Sequence, residues 1–280
     1  MNRAQLMDAP VGLLPLPRPL MSGEVLDAAF RLFRAGLVGC LPYSGLVVLV
    51  LAFPQLYRTL VVPGALGKGL TFTIPHFLLV SSIVVLCLSA ALLGLITLRL
   101  DALARGVRPR YRVELLVALK RWPAAVLATA FAFGFPVALW WLRPAFMSAL
   151  PTEALMFAAV PVLWPASFFV LALPAFWCEP LGPFGAIAQA VKISLRRSWR
   201  MFGAMLASLC MAMAFFVFAT MMVWMLSPLF GRPDLFLIST IESMLYLVVG
   251  AFGVPFVLAV LIVAHQDLKL RELARRGARP

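Results

Sequence analysis

Five runs of this chain, 35–57, 69–98, 122–142, 154–178 and 201–231, contain no Asp, Glu, Lys or Arg, and a sixth, 235–266, contains only Glu242. A helix needs about 20 mostly apolar residues to cross a hydrocarbon core about 30 Å thick. Every run meets that length, and a chain of 280 residues has no soluble core large enough to hide all of them. Composition agrees, because 12% of the residues are charged, against roughly 25% in a soluble domain. The expected fold class is all-α, a polytopic membrane protein of about six transmembrane helices.

An even number of spans puts both termini on one side, and the basic residues say which. Of 24 Lys and Arg, only Arg58, Lys68, Arg143 and Arg232 fall in the loops after spans one, three and five. The others lie in the N-terminal segment, the two longer loops and the C-terminal tail, so nearly all of the +13 net charge sits on one side. Positive residues mark the cytoplasmic side. The expected location is the bacterial inner (cytoplasmic) membrane, multi-pass, with N-terminus and C-terminus cytoplasmic. Such a charge on a soluble protein would point to nucleic acid. Here topology and attraction to anionic headgroups account for it. Membrane lipids, and a membrane or cytoplasmic protein, are the expected partners; nucleic acid is not.

Residues 1–21, with Pro10, Pro15, Pro17 and Pro19, read as an extended, partly disordered cytoplasmic lead-in. Their apolar run, 11–14, is too short for a signal peptide. Residues 22–266 form the expected six-helix transmembrane domain and 267–280 a basic cytoplasmic tail. A charged amphipathic segment precedes each odd-numbered span. In 22–34, Leu26, Phe30, Phe33 and Leu37 recur at helical spacing opposite Glu24, Asp27, Arg31 and Arg34, with Ser22 as N-cap. In 113–122 the stripe is Val113, Leu116 and Leu119. In 185–200, Lys192, Arg196 and Arg200 lie four apart beside Ile187, Val191, Leu195 and Trp199. A helix basic on one face and apolar on the other lies in the membrane interface. A cytoplasmic extension of the next span has the same pattern. The expectation is a belt of three interfacial helices on the cytoplasmic side, with Arg31, Arg34, Lys192, Arg196, Arg197 and Arg200 as candidate lipid or partner contacts. Spans two and six also exit alike, in short charged helical tails that end at Gly106 and Gly277.

Three segments resemble a known family: the run from Arg18 through Ser22-Gly23-Glu24 to Arg34, the run from Ala190 through Lys192 to Arg200, and His265-Gln266-Asp267-Leu268-Lys269-Leu270-Arg271. They resemble a widespread bacterial membrane family, the membrane domain attached to some glycerophosphodiester phosphodiesterases, which also occurs alone. The resemblance implies a helical bundle and no catalytic residues, since the phosphodiesterase chemistry belongs to a separate barrel of about 250 residues.

Residues for chemistry are sparse. His76 and His265 are the two histidines, and no HExxH, GxSxG or phosphate-binding glycine pattern occurs. Cys40, Cys87, Cys178 and Cys210 lie in or at the ends of spans, with no CxxC, and read as small hydrophobes. No cofactor, metal or catalytic residue is expected, and the chain reads as no enzyme. Glu242 is the candidate functional polar residue, because ionisable groups in spans are rare; a satisfied carboxylate at the outer interface is the plainer reading. The function expected is a non-enzymatic scaffold or accessory subunit of a membrane complex or membrane-homeostasis system. A small-molecule or lipid transporter or permease is the alternative, favoured by prolines such as Pro161, Pro165 and Pro174 in span four. An intramembrane enzyme fits least.

Overall fold

The computed structural model describes residues 12–14, 16–65, 74–147, 169–195, 198–226 and 235–277. Its helices are α1 (Ser22–Ala65), α2 (Ile74–Ala104), α3 (Tyr111–Met147), α4 (Ala172–Cys178), α5 (Pro183–Leu195), α6 (Ser198–Leu226) and α7 (Leu235–Gly277). No strand occurs among the described residues. Among the described residues, five stretches are long and apolar enough to cross a membrane: Ser22–Phe53, Ser81–Ala104, Tyr111–Ala132, Trp199–Met222 and Leu247–Arg275. The expected span at 154–178 falls mostly outside the described residues, which hold only its end, with α4.

Local chemistry fixes the helix ends. Glu24 accepts the backbone N–H of Met21 at 2.7 Å, and the Met21 carbonyl takes the first helical bond, from Val25. Met21 is thus the N-cap of α1, with Glu24 reaching back as in a capping box; the expected cap, Ser22, is already helical. Arg18 pairs with the same carboxylate at 2.6 Å. At the other end of α2, Gly106 takes φ +76°. The bonds Gly106 N–H to Leu103 and Val107 N–H to Ala102 make a Schellman stop there. Gly106 therefore ends α2 as the sequence leads one to expect.

The belt of flat helices needs correction for two of its three members. Segment 22–34 is the first part of the 44-residue α1, and 113–122 the first part of the 37-residue α3. Each runs on as one helix with the span that follows, and Gly36 and Gly39, inside α1, serve close packing. Only α5 stands as a separate amphipathic helix, opened by Pro183 at its first position. Helix α7 runs on to Gly277, the helical tail and glycine end that the sequence predicts.

Helix α1 packs against α7 and α2, α6 against α7, and α3 against α2, while α4 and α5 fill the space between α2, α3 and α7. The faces that meet are not the stripes of large apolar residues. On α3, Val113, Leu116 and Leu119 point away from the protein, and Ala118, Ala125, Ala128 and Ala132 point in. On α5, Ala186, Ala190, Ile193 and Ser194 are buried and Leu195 is exposed. On α1 the buried line is Val25, Ala28, Ala29, Leu32 and Cys40, with Phe30 and Phe33 edge-on to Phe256 at 6.4 and 5.6 Å. Lipid tails are as apolar as Leu, so helices in a bilayer gain by close fit, and small residues allow it.

Gly94 shows how close the fit is. A methyl group there would overlap the indole of Trp177, itself buried beside Phe176. Gly94→Ala should cost about 1–3 kcal/mol by overpacking, read as a lower unfolding temperature in mild detergent. Gly203→Ala on α6, where the added carbon meets nothing, should leave that temperature unchanged or slightly raised. Equal behaviour of the two variants would contradict the packing described.

Candidate functional site

The segments that carry most of the basic residues meet at one end of the bundle, around the last turns of α7. His265 and Lys269 lie four apart on one side of that helix, and Asp267 and Arg271 four apart on another. Each side binds a different part of the chain.

Asp267, with its side chain only 2% exposed, accepts the backbone N–H of Leu20 at 2.7 Å and Nε of Arg271 at 3.0 Å, and pairs with Nε of Arg200 at 3.4 Å. The guanidinium groups of Arg200 and Arg271 both donate to the Leu20 carbonyl as well. One carboxylate and one carbonyl thus join the N-terminal segment, the start of α6 and α7. The N-terminal segment also donates from Leu14 N–H to the Ala104 carbonyl at 2.8 Å, capping α2. Leu16 is buried, and Leu13, Leu14 and Leu20 pack on the core. These residues run without helix up to α1, and their backbone bonds go to α2 and α7. Residues 1–11 lie outside the described residues.

On the opposite side, Glu179 fills the turn between α4 and α5. Its Oε1 accepts from Nε2 of His265 at 3.0 Å and from Nζ of Lys269 at 2.8 Å, and its Oε2 from Nε2 of Gln189 at 3.2 Å. A carboxylate only accepts, so the imidazole proton in this bond is on Nε2. The His265 bond, reinforced by those of Lys269 and Gln189, holds Glu179 down to about 2 against the opposing effect of burial. The turn also frees backbone carbonyls, which a bilayer leaves no water to satisfy. Arg105 donates to the Cys178 carbonyl at 3.1 Å, and Arg121 to those of Glu179 and Leu181 at 3.2 and 2.8 Å. Arg121 lies over the Phe176 ring at 4.5 Å while doing so.

A third tie is the most deeply buried. Arg99 of α2 and Glu114 of α3 approach to 3.6 Å with side chains 1% and 6% exposed. The Arg99 guanidinium lies 4.3 Å from the centre of the Tyr111 ring, and Gly39 of α1 gives it room, since any β-carbon there would overlap it. A buried charge costs several kcal/mol unless it is paired, so these groups have to be assembled together. One turn away, Arg105 pairs with Asp101 at 2.8 Å.

The candidate residues read from the sequence divide. Arg31 is exposed and pairs with Asp27 at 2.6 Å; Arg34 is exposed. Lys192 is exposed on α5 and lines a cleft. Arg200 turns inward and bonds within the protein. Arg196 and Arg197 lie outside the described residues, as do the side chains of Glu242, on α7, and His76, on α2. The residues that organise the site, Glu179, Asp267, Arg99 and Glu114, were not singled out. Two left a trace: Glu179 is the single ionisable residue in 154–191, and Asp267 stands four before Arg271 as Asp101 does before Arg105. Among the described residues no His, Cys, Asp and Glu group could hold a metal ion.

The depressed acidity of Glu179 sets a pH dependence. Its ordinary value is 4.5 and its folded value about 2, so the stability it contributes is complete above about 4.5 and is lost as pH falls towards 2. Unfolding temperature in detergent should drop across that window in the unmodified protein. In Glu179→Gln it should start lower at neutral pH and drop less. Parallel profiles for the two proteins would rule out the tie.

No family model, no curated protein and no solved structure matches this chain.

Proposed function

We propose that this chain is a non-enzymatic integral protein of the bacterial inner membrane, crossing it six times with both termini cytoplasmic. Its role on this reading is that of a scaffold or accessory subunit in a membrane complex or membrane-homeostasis system. The observation that carries the proposal is that the ionisable groups at the polar end bind one another. Asp267, Glu179 and Asp101 are each held by cations of the chain itself, and the bonds of Asp267 and Glu179 join separate elements. Groups so bound hold a shape; a catalytic acid, base or nucleophile has to face a substrate. The same end gathers the segments richest in Lys and Arg, which supports a cytoplasmic position for it.

The three segments that resemble the membrane domain of the glycerophosphodiester phosphodiesterases meet at Asp267, through Leu20 and Arg200. That convergence supports reading the chain as a relative of that domain. Above the polar end, α6 presents Phe215, Phe218, Met221 and Met225 outward. In a bilayer this face suits lipid or the span of a partner, with methionine able to adapt to either.

A second reading, a transporter of small molecules or lipids, draws on the Arg99–Glu114 pair, because buried ion pairs within spans mark substrate and ion pathways. One comparison separates the two. Purification after crosslinking in intact membranes should yield one membrane protein in fixed stoichiometry with the chain. Vesicles containing the purified chain alone should show no saturable flux. Saturable flux that is lost in Glu114→Gln while the protein stays folded would replace the scaffold by the transporter.

A further inference from the structure

Between α5 and the last turns of α7 lies a cleft of about 330 Å³, lined by Gln189, Lys192, Ile193, Lys269, Glu272 and Leu273 among others. That volume is within the roughly 300–1,000 Å³ of small-molecule sites. We propose that this cleft binds the phosphate headgroup of an anionic phospholipid, an inference that rests on the membrane location argued above.

The cationic groups are in place and partly unused. Among the described residues, no bond engages the Lys192 ammonium. Lys269 gives one N–H to Glu179, and an ammonium has three. Gln189, bonded to Glu179 through its amide nitrogen, keeps its amide oxygen as an acceptor for a glycerol hydroxyl. Glu179 is surrounded by His265, Lys269 and Gln189 and makes no bond to Lys192. Of the charged residues in the lining, Lys192 and Lys269 are cations and Glu272 is a carboxylate.

The rest of the cleft selects a lipid over a free anion. Ile193 and Leu273 supply apolar walls beside the two ammonium groups, as the junction of a headgroup and its acyl chains requires. Helix α5 is amphipathic, and exposed apolar side chains flank the site: Phe184 at its start, Leu195 at its end and Trp199, 73% exposed, at the start of α6. A helix with Phe and Leu outward, Lys on its polar side and a Trp just beyond its end sits at headgroup depth. The positive side of the chain then faces the leaflet whose anionic lipids attract it.

The test uses the full chain, purified in mild detergent and titrated with short-chain phosphatidylglycerol or phosphatidylcholine, with bound lipid counted by native mass spectrometry. Phosphatidylglycerol should occupy one site more tightly than phosphatidylcholine. Lys192→Gln should weaken that site about fivefold, the effect of one headgroup-depth cation, and Lys192→Glu more. Arg108→Ala, which removes an exposed charge from the α2–α3 turn, should leave it unchanged. Equal losses in Lys192→Gln and Arg108→Ala would mean diffuse attraction only and overturn the proposal. So would displacement of the lipid by millimolar inorganic phosphate, which would make the cleft a free-anion site. A chain that floats with membranes but retains no phosphatidylglycerol would sink this inference alone; one that fails to float would sink the membrane reading beneath it.

Discussion

A carboxylate almost wholly removed from water, Asp267 near the end of α7, needs partners from elsewhere in the chain, and meeting that need organises the polar end of this bundle. Asp267 draws in Leu20, Arg200 and Arg271, and so joins three segments that lie far apart in sequence. Two residues either way along α7, on another side of the helix, His265 and Lys269 hold Glu179 and with it the turn between α4 and α5. Removing one member of such a group costs about 3–5 kcal/mol, because the remaining charge stays buried without its partner. The loops at this end therefore cannot vary freely in their connections, whatever their composition.

The apolar part of the bundle obeys a different rule. Ala, Gly and Ser line several of the crossings, beside buried large side chains such as Leu32, Ile96 and Phe256, while many other large side chains point outward. Gly39 admits the Arg99 guanidinium and Gly94 the Trp177 ring, so two glycines on different helices decide how near their neighbours come. Close packing and ion pairing support each other here, since Arg99 reaches Glu114 and Tyr111 only because α1 leaves room behind it.

How much was legible in the sequence follows from these two rules. Runs without charge are a direct consequence of the cost of charge in hydrocarbon, so apolar helices could be found from 35–57, 69–98, 122–142, 201–231 and 235–266. The stop at Gly106 was legible too, because only a left-handed residue closes that turn. Helical periodicity reported which residues share a face, without saying what each face would meet. Leu116 and Leu119 do recur on one face, but that face turns outward, since lipid gives them no reason to hide. The continuity of α1 past Arg34 was hidden because amphipathic composition is common to an interfacial helix and to an extension of a span. The ties of Glu179 and Asp267 were hidden for another reason: they cross 86 and 247 positions of sequence, and no local pattern reports a partner that distant.

The central claim is that Asp267 and Arg200 join the N-terminal segment, α6 and α7 as one unit. A double-mutant cycle on unfolding in mild detergent, with Asp267→Asn, Arg200→Gln and both together, measures their coupling directly. A tie of this kind gives a coupling of at least about 1 kcal/mol, with the double variant little worse than Asp267→Asn alone. Additive losses, to within about 0.5 kcal/mol, would mean that the two residues act independently and that the polar end is not held together in this way.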